Sequence, residues 1–263
     1  MQAMAFLRRD WLVESSYRST ALFGFLGRLA SLLMFFFLGK AVGTSAHLEP
    51  YGGAYFAFAL LGIAAQEPLH AAVSQMAAKV REAQLTGTLE AVLATPIGPA
   101  RAVALSTLFP LLTSSARMLI FLAVGVGLGA ALMPSGVLVA AVALTLALVA
   151  YGAMGMLAAS FTLVLKRGDP LSSAVHVLSA LLGGVLYPVS VLPGSLQALA
   201  QWLPLTHTLE AIRLALLTDA PGAEAWWAVG KLAGLTLVLL PIAGMVFARA
   251  LDRAKREGSL THF

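Results

Sequence analysis

The chain has 263 residues, of which 59% are hydrophobic and 11% are charged, and its mean hydropathy is +0.87. Soluble domains carry about 25% charged residues, so this chain has too few to cover a surface that faces water. The absence of cysteine excludes disulfides, zinc–thiolate sites and thiol catalysis. The net charge of +5 comes from basic residues at the ends of apolar runs, which is typical of a membrane protein and not of a nucleic-acid-binding surface. We therefore predict an all-α integral membrane protein.

The N-terminal residues 3–18 precede the first apolar run. Met4, Leu7 and Trp11 fall at helical spacing, and charged residues occupy the other side of the helix. This pattern predicts a helix that lies in the membrane interface, with Trp11 at the depth of the headgroups. The alternative is a solvated tail.

Six apolar runs follow, each close to the roughly 20 residues that a helix needs to cross about 30 Å of hydrocarbon. They are Thr20–Val42, Tyr51–Ala72, Ala102–Ala131, Val137–Leu165, Leu171–Leu186 and Trp227–Ala248. With both termini in the cytoplasm, the inner segments hold twelve of the seventeen Lys and Arg residues and the outer segments three; Arg28 and Arg117 lie at membrane depth. This excess of positive charge predicts six spans with the N- and C-termini inside.

An amphipathic helix is predicted over residues 79–95, on the cytoplasmic side after the second run. Its apolar residues fall at i, i+4, i+7 and i+8, and its polar residues repeat every four, which produces two adjacent stripes. The apolar stripe contains Leu85, Leu89, Val92 and Leu93, and the polar stripe contains Glu82, Thr86 and Glu90. Such a helix either docks a soluble partner or rests on its own bundle.

Residues 187–218 form an apolar segment on the outer side. Pro188, Pro193 and Pro204 divide it into pieces that are too short to cross the membrane. Because unpaired backbone is not tolerated in lipid, we predict a re-entrant helical cap that is buried in protein. Within it, Glu210 and Arg213 stand at i, i+3, a spacing that favours an ion pair.

Three charged residues are predicted at membrane depth: Arg28, Glu67 and Arg117. A charge in the hydrocarbon costs about 2.5–3.5 kcal/mol even on the lenient insertion scale, so each should face protein, water or an opposite charge. We expect a structural role for Arg28, either in an ion pair or with a side chain that reaches toward the membrane surface, and we hypothesise that Glu67 pairs with Arg117. A role in a substrate path or gate is the alternative to a structural ion pair.

Motifs for chemistry of its own are missing from the sequence. The phosphate-binding pattern G-x-x-x-x-G-K-[ST] does not occur, and the five histidines have no metal-ligand spacing. An intramembrane serine protease needs a serine and a histidine on different helices, whereas His176 and Ser179 share one helix. A channel or a secondary transporter remains an alternative, although no inverted repeat is evident.

Three stretches carry a family resemblance. The sequence EAQLTGTLEAVLATP (residues 82–96) resembles the cytoplasmic signature of the permease subunits of type-2 ABC exporters. The sequence RGDP (residues 167–170) and the outer segment YPVSVLPGSLQALAQWLPLTHTLEAIR (residues 187–213) resemble two further parts of that family, in the same order.

This resemblance implies that residues 1–263 form a single permease domain, located in a bacterial inner membrane. Two permease copies would pair, most simply as a homodimer, and each would dock a separate ATPase subunit that binds ATP and Mg. The chain itself would bind no cofactor or metal and would not be an enzyme. The cargo would be hydrophobic or amphipathic: a drug, a lipid or a lipid-linked glycan.

The resemblance also assigns residues to roles. ATPase coupling would fall to Glu82, Leu85, Gly87, Thr88, Leu89, Glu90 and Leu93. The interfacial helix would contribute Arg8, Arg9 and Trp11. An outer gate would contain Tyr187, Pro188, Pro193, Trp202, Pro204, His207, Glu210 and Arg213.

Overall fold

The computed structural model describes residues 18–44, 46–87, 105–165, 169–219 and 222–256. Over these ranges the chain is helical and contains no strand, which confirms the all-α prediction. The α-helices are α1 (Arg18–Val42), α2 (Tyr55–Leu85), α3 (Leu108–Gly127), α4 (Val137–Leu165), α5 (Pro170–Leu182), α6 (Gly194–Ala200), α7 (Pro204–Leu216) and α8 (Ala223–Arg256). Short 3₁₀ turns occupy Ala46–Tyr51, Pro134–Gly136 and Val189–Val191.

Among the described residues, four helices are long and apolar enough to cross a membrane: α2, α3, α4 with the turn before it, and α8. The first predicted run forms α1, which has 25 residues. The fifth run ends earlier than predicted, because α5 has 13 residues and the chain turns at Gly183 and Gly184, where Gly184 has φ 76°. A helix of that length measures about 20 Å, which is less than the hydrocarbon thickness. The count of six crossings and their orientation stay predictions.

The long helices are apolar on the outside as well as on the inside. Phe37, Leu138 and Leu237 are exposed, while Tyr151 is fully buried. A helix that is hydrophobic all round is typical of a membrane span. Hydroxyl groups on these helices donate to carbonyls of the preceding turn, as Thr236 does to Leu232 at 2.7 Å, so they need no water.

α2 and α4 form the centre of the bundle, and their backbones approach closely. A Cβ atom at Gly155 of α4 would lie 2.4 Å from the carbonyl oxygen of Ala72 on α2. Tyr151, one turn earlier on α4, places its hydroxyl 2.9 Å from Ser179 Oγ on α5. Small residues therefore decide where α2 and α4 touch, as in other membrane bundles.

One end of the bundle, which we call the capped end, gathers the connections at 43–44, 46–54, 128–136 and 183–219. The Met133 amide donates to the Leu216 carbonyl at 2.8 Å, which ties the α3–α4 connection to the end of α7. Gly136 permits this approach, because a Cβ there would lie 1.7 Å from the Ala215 carbonyl oxygen. At the opposite end, which we call the open end, Asp169 caps α5 by accepting from the Ser172 amide at 3.0 Å.

The α2–α4 contact predicts opposite effects at two glycines of one helix. Gly155→Ala should lower the stability by about 1–3 kcal/mol, because its Cβ meets backbone that cannot yield. Gly152→Ala should be neutral or stabilising by about 0.5–1 kcal/mol, since the nearest atom is Met76 Cε at 4.0 Å. Thermal unfolding in detergent measures both, and equal midpoints for the two variants would contradict the close contact.

Candidate functional site

Arg213 is the most constrained charged residue at the capped end, with only 3% of its surface exposed. Its Nε donates to the Phe58 carbonyl at 3.2 Å, and Nη2 donates to the same carbonyl at 3.1 Å. Nη1 donates to the Gly184 carbonyl at 2.6 Å, and Nη2 also donates to that of Val185 at 2.7 Å. One guanidinium on α7 thereby joins the first turn of α2 to the turn that follows α5. We call Arg213 and its three carbonyl acceptors the Arg213 cluster.

The surroundings of Arg213 are shaped to admit its guanidinium. Its Cζ lies 3.3 Å from the centre of the Phe58 ring, a distance at which a cation is attracted to the ring face. Gly62 leaves the necessary space, because a Cβ there would lie 2.7 Å from Nη2 and 2.3 Å from the Val185 carbonyl oxygen. Burial lowers the pKa of Arg213 to about 9, so the group remains a cation at neutral pH.

Glu210 and Arg213 do not form the predicted ion pair. Arg213 directs its donors to the three carbonyls, and Glu210 Oε2 instead lies 3.8 Å from Nδ1 of His207. The Nε2 of His207, which is buried, lies 2.9 Å from the Gln201 carbonyl oxygen. Nearby, burial raises the pKa of the Tyr51 phenol, the Glu210 carboxylate adds to the rise, and Arg213 opposes it.

The remaining predicted gate residues shape the connection from α5 to α7. The Tyr187 hydroxyl donates to the Leu181 carbonyl, and Pro188 precedes the 3₁₀ turn Val189–Val191. Pro193 and Pro204 stand at the starts of α6 and α7, where their fixed φ suits a helix N-terminus. Trp202 is 75% exposed between these two helices. Of the predicted gate residues, Pro204, His207, Glu210 and Arg213 lie on α7 itself.

The three charged residues at membrane depth come together. The Arg28 Nε of α1 contacts the Glu67 carboxylate of α2, and Arg117 of α3 lines the same cavity of about 100 Å³. From their positions in the helices, the three lie about 15–21 Å below the capped ends, at a rise of 1.5 Å per residue. Two cations and one anion, one from each of three helices, therefore meet near the middle of the membrane. We call Arg28, Glu67 and Arg117 the charge cluster.

This arrangement corrects one sequence hypothesis. Glu67 pairs with Arg28 and not with Arg117, which lines the same cavity. Arg28 has the structural role expected of it, in an ion pair and not as a side chain that extends to the membrane surface. Placing one charge on each of three helices at this depth is tolerable because opposite charges share the cavity.

His176 and Ser179, considered above for a protease, have other neighbours. The His176 ring stacks on His70 of α2 with 4.1 Å between ring centres, and Ser179 shares a hydrogen bond with Tyr151. Among the hydrogen bonds of the described residues, none joins His176 to Ser179, so the two do not form a nucleophile and its base.

At the open end, α2 carries the first residues that were predicted to couple to an ATPase. Lys79 Nζ donates to Glu82 Oε2 at 2.9 Å, Leu85 is 63% exposed, and Gly87 ends the helix with φ 66°. Residues 79–85 thus continue the second span. Thr88, Leu89, Glu90 and Leu93 lie outside the described residues, as do Arg8, Arg9 and Trp11.

A family model described as ABC-2 type transporter matches residues 1–217. The chain belongs to the ABC-2 type transporter family. The match covers α1 to α7 and includes both the charge cluster and the Arg213 cluster. None of the curated proteins searched matches the chain. As a member of this family, the chain is a transporter membrane domain of the permease type, and its apolar helices agree with a multi-pass membrane protein.

Sequence reasoning missed the acceptors of Arg213 and the His70–His176 stack. The carbonyls of Phe58, Gly184 and Val185 have no side-chain signature, since any residue offers a carbonyl. The glycine pair at 183–184 and the lone Gly62 within an apolar run were the available signals, because glycine often marks a close backbone approach.

The Arg213 cluster predicts a large loss of stability on Arg213→Met. The change leaves three buried carbonyls without their donor, and breaking such a buried charged network costs about 3–5 kcal/mol. The stability of Arg213→Lys should fall between that of the unmodified chain and that of Arg213→Met, because an ammonium lacks the planar set of donors that reaches all three carbonyls. Arg256→Met, at an exposed position of α8, is the control. Thermal unfolding in detergent tests the set, and a midpoint for Arg213→Met equal to the control would contradict the anchor.

The charge cluster predicts unequal single substitutions. Glu67→Leu leaves two guanidinium groups facing one cavity, whereas Arg28→Leu leaves Glu67 beside Arg117. Glu67→Leu should therefore be the more destabilising. The variant that carries both Glu67→Leu and Arg28→Leu should be about 1–3 kcal/mol more stable than the sum of the two single losses predicts. Unfolding midpoints of the four proteins complete the cycle, and additive effects would exclude a coupled pair.

Proposed function

We propose that this chain is the transmembrane subunit of an ATP-driven exporter in a bacterial inner membrane, powered by a separate ATPase subunit. Two copies of the chain pair, and each docks one ATPase subunit that binds ATP and Mg. Family membership supports the transporter part of this proposal. The geometry of α2 supports the coupling part.

α2 is one continuous helix of 31 residues, about 46 Å long, which exceeds a typical span by roughly ten residues. Near its start, the Phe58 carbonyl belongs to the Arg213 cluster; at mid-depth Glu67 binds Arg28; near its end Glu82 and Leu85 are exposed. A single continuous helix, with Pro68 in its interior, therefore connects the capped end, the membrane centre and the open end. This is the observation that carries the proposal.

In this mechanism, closure of the ATPase subunits pushes on the segment that begins at Glu82 and includes Leu85, Gly87, Thr88, Leu89, Glu90 and Leu93. An exposed leucine at a helix end, such as Leu85, suits an apolar contact with a soluble partner. The N-terminal helix with Arg8, Arg9 and Trp11 rests against the same subunit. The displacement travels along α2 to the gate at the capped end.

The cargo in this proposal is hydrophobic or amphipathic. The spans expose apolar side chains, among them Phe37, Leu138 and Leu237. A hydrophobic molecule that reaches these surfaces from the bilayer has no hydrogen bonds to water to lose.

Gentle purification from the native membrane tests the proposal. A soluble ATPase should co-purify in roughly equal amount, and its hydrolysis of ATP should be blocked by vanadate. Glu82→Arg should reduce the recovered ATPase at least fivefold, because it reverses a charge at the docking surface; Glu90→Arg should act in the same way. Asp252→Arg is the matched control, since Asp252 is also an exposed acid on an open-end helix extension.

Two results would overturn the proposal. A chain that emerges alone and inert to ATP favours a channel or secondary transporter. An equal loss with Glu82→Arg and Asp252→Arg, in a well-folded protein, removes α2 from the coupling surface.

A further inference from the structure

A cavity with a volume of about 380 Å³ lies in the capped half of the bundle. α2 and α7 form its back wall, and α3 and α4 form its sides. Its size falls within the range of about 300–1,000 Å³ that is typical of small-molecule pockets. It belongs neither to the Arg213 cluster nor to the charge cluster.

The cavity is a wedge between α3 and α4. Both helices pack against α2 but have little contact with each other. The α3–α4 connection holds them apart at the capped end, where Met133 is tied to Leu216 by a hydrogen bond of 2.8 Å. At the mouth, Leu119 of α3 and Val137 of α4 are exposed, so the wedge opens sideways toward the surroundings of the spans.

The lining consists entirely of Leu, Ile, Val, Ala, Met and Pro residues. A polar ligand group inside would lose its hydrogen bonds to water and find no side-chain partner, which costs several kcal/mol. Water itself needs two to four polar partners to occupy such a site. The wall therefore selects an apolar occupant.

The depth of the cavity matches one leaflet. It extends from Pro134 at the capped end to Ala65 of α2 and Met118 of α3, which lie about 15 and 14 Å along their helices. Half of a hydrocarbon core of about 30 Å is about 15 Å. A dry cavity of about 150 Å³ holds a benzene molecule, so this one has room for roughly fifteen carbon atoms, the size of one fatty acyl chain.

We propose that this wedge binds one acyl chain of a glycerophospholipid from the leaflet at the capped end. The headgroup stays outside, level with the α3–α4 connection, while the chain fills the space between α3 and α4. This site does not depend on the proposed export function, because it requires only that the spans stand in a bilayer.

Two tryptophan variants test the site. Ala141→Trp fills the cavity from its exposed wall position on α4. Ala123→Trp adds the same side chain to an exposed position of α3 that does not line the cavity. Both alanines lie four residues from the capped ends of their helices, so the two variants match in depth as well as in volume.

The full chain is reconstituted in nanodiscs of a single phosphatidylcholine, released into mild detergent and examined by native mass spectrometry. The unmodified chain and Ala123→Trp should each retain about one phosphatidylcholine per chain. Ala141→Trp should retain at least fivefold less, with an unchanged size-exclusion profile. If Ala141→Trp does not fold, Ala141→Leu should lower retention while keeping the unfolding midpoint.

Three outcomes would overturn the proposal. The unmodified chain could carry no lipid of the expected mass. Ala141→Trp could retain as much lipid as Ala123→Trp, which places the lipid elsewhere. Ala141→Trp could instead abolish a dimer mass, which assigns the wedge to a second copy of the chain.

Discussion

The buried guanidinium of Arg213 is the interaction on which the capped end depends. The carbonyls of Gly184 and Val185 lie in the turn after α5, outside any helix, and unpaired buried backbone is costly. One planar group with five donors satisfies them together with the Phe58 carbonyl. Because that group is rigid, it also sets the distance between α2, α7 and the turn, and Gly62 leaves the space that this distance requires.

The rest of the bundle follows from close backbone contacts at small residues. Gly155 brings α4 onto α2, and Gly136 brings the α3–α4 connection onto α7. In lipid, packing and hydrogen bonds hold helices together, since the outside is as apolar as the inside. α3 gains its position from α2, through the contact of Gly125 with Leu60, and its separation from α4 leaves the apolar wedge.

α2 takes part in four of the features described above. It contributes an acceptor to Arg213, the carboxylate of the charge cluster, one ring of the His70–His176 stack and the first exposed residues at the open end. Under the proposed function, a displacement at Leu85 changes all of these contacts at once. A charged pair at mid-depth favours discrete positions of α1 against α2, because an intermediate position would leave a charge without its partner in a medium of low dielectric constant.

The sequence by itself determined the all-α membrane class, the family and the places where charges enter the apolar runs, because these depend on composition, period and local motifs. It also located the proline-divided segment at the capped end. Only the tertiary structure decided which charges meet: Glu67 with Arg28, and Arg213 with carbonyls in place of Glu210. The partner of a charged side chain depends on how each helix is rotated and on backbone carbonyls, which every residue has. Neither can be read from the amino-acid sequence.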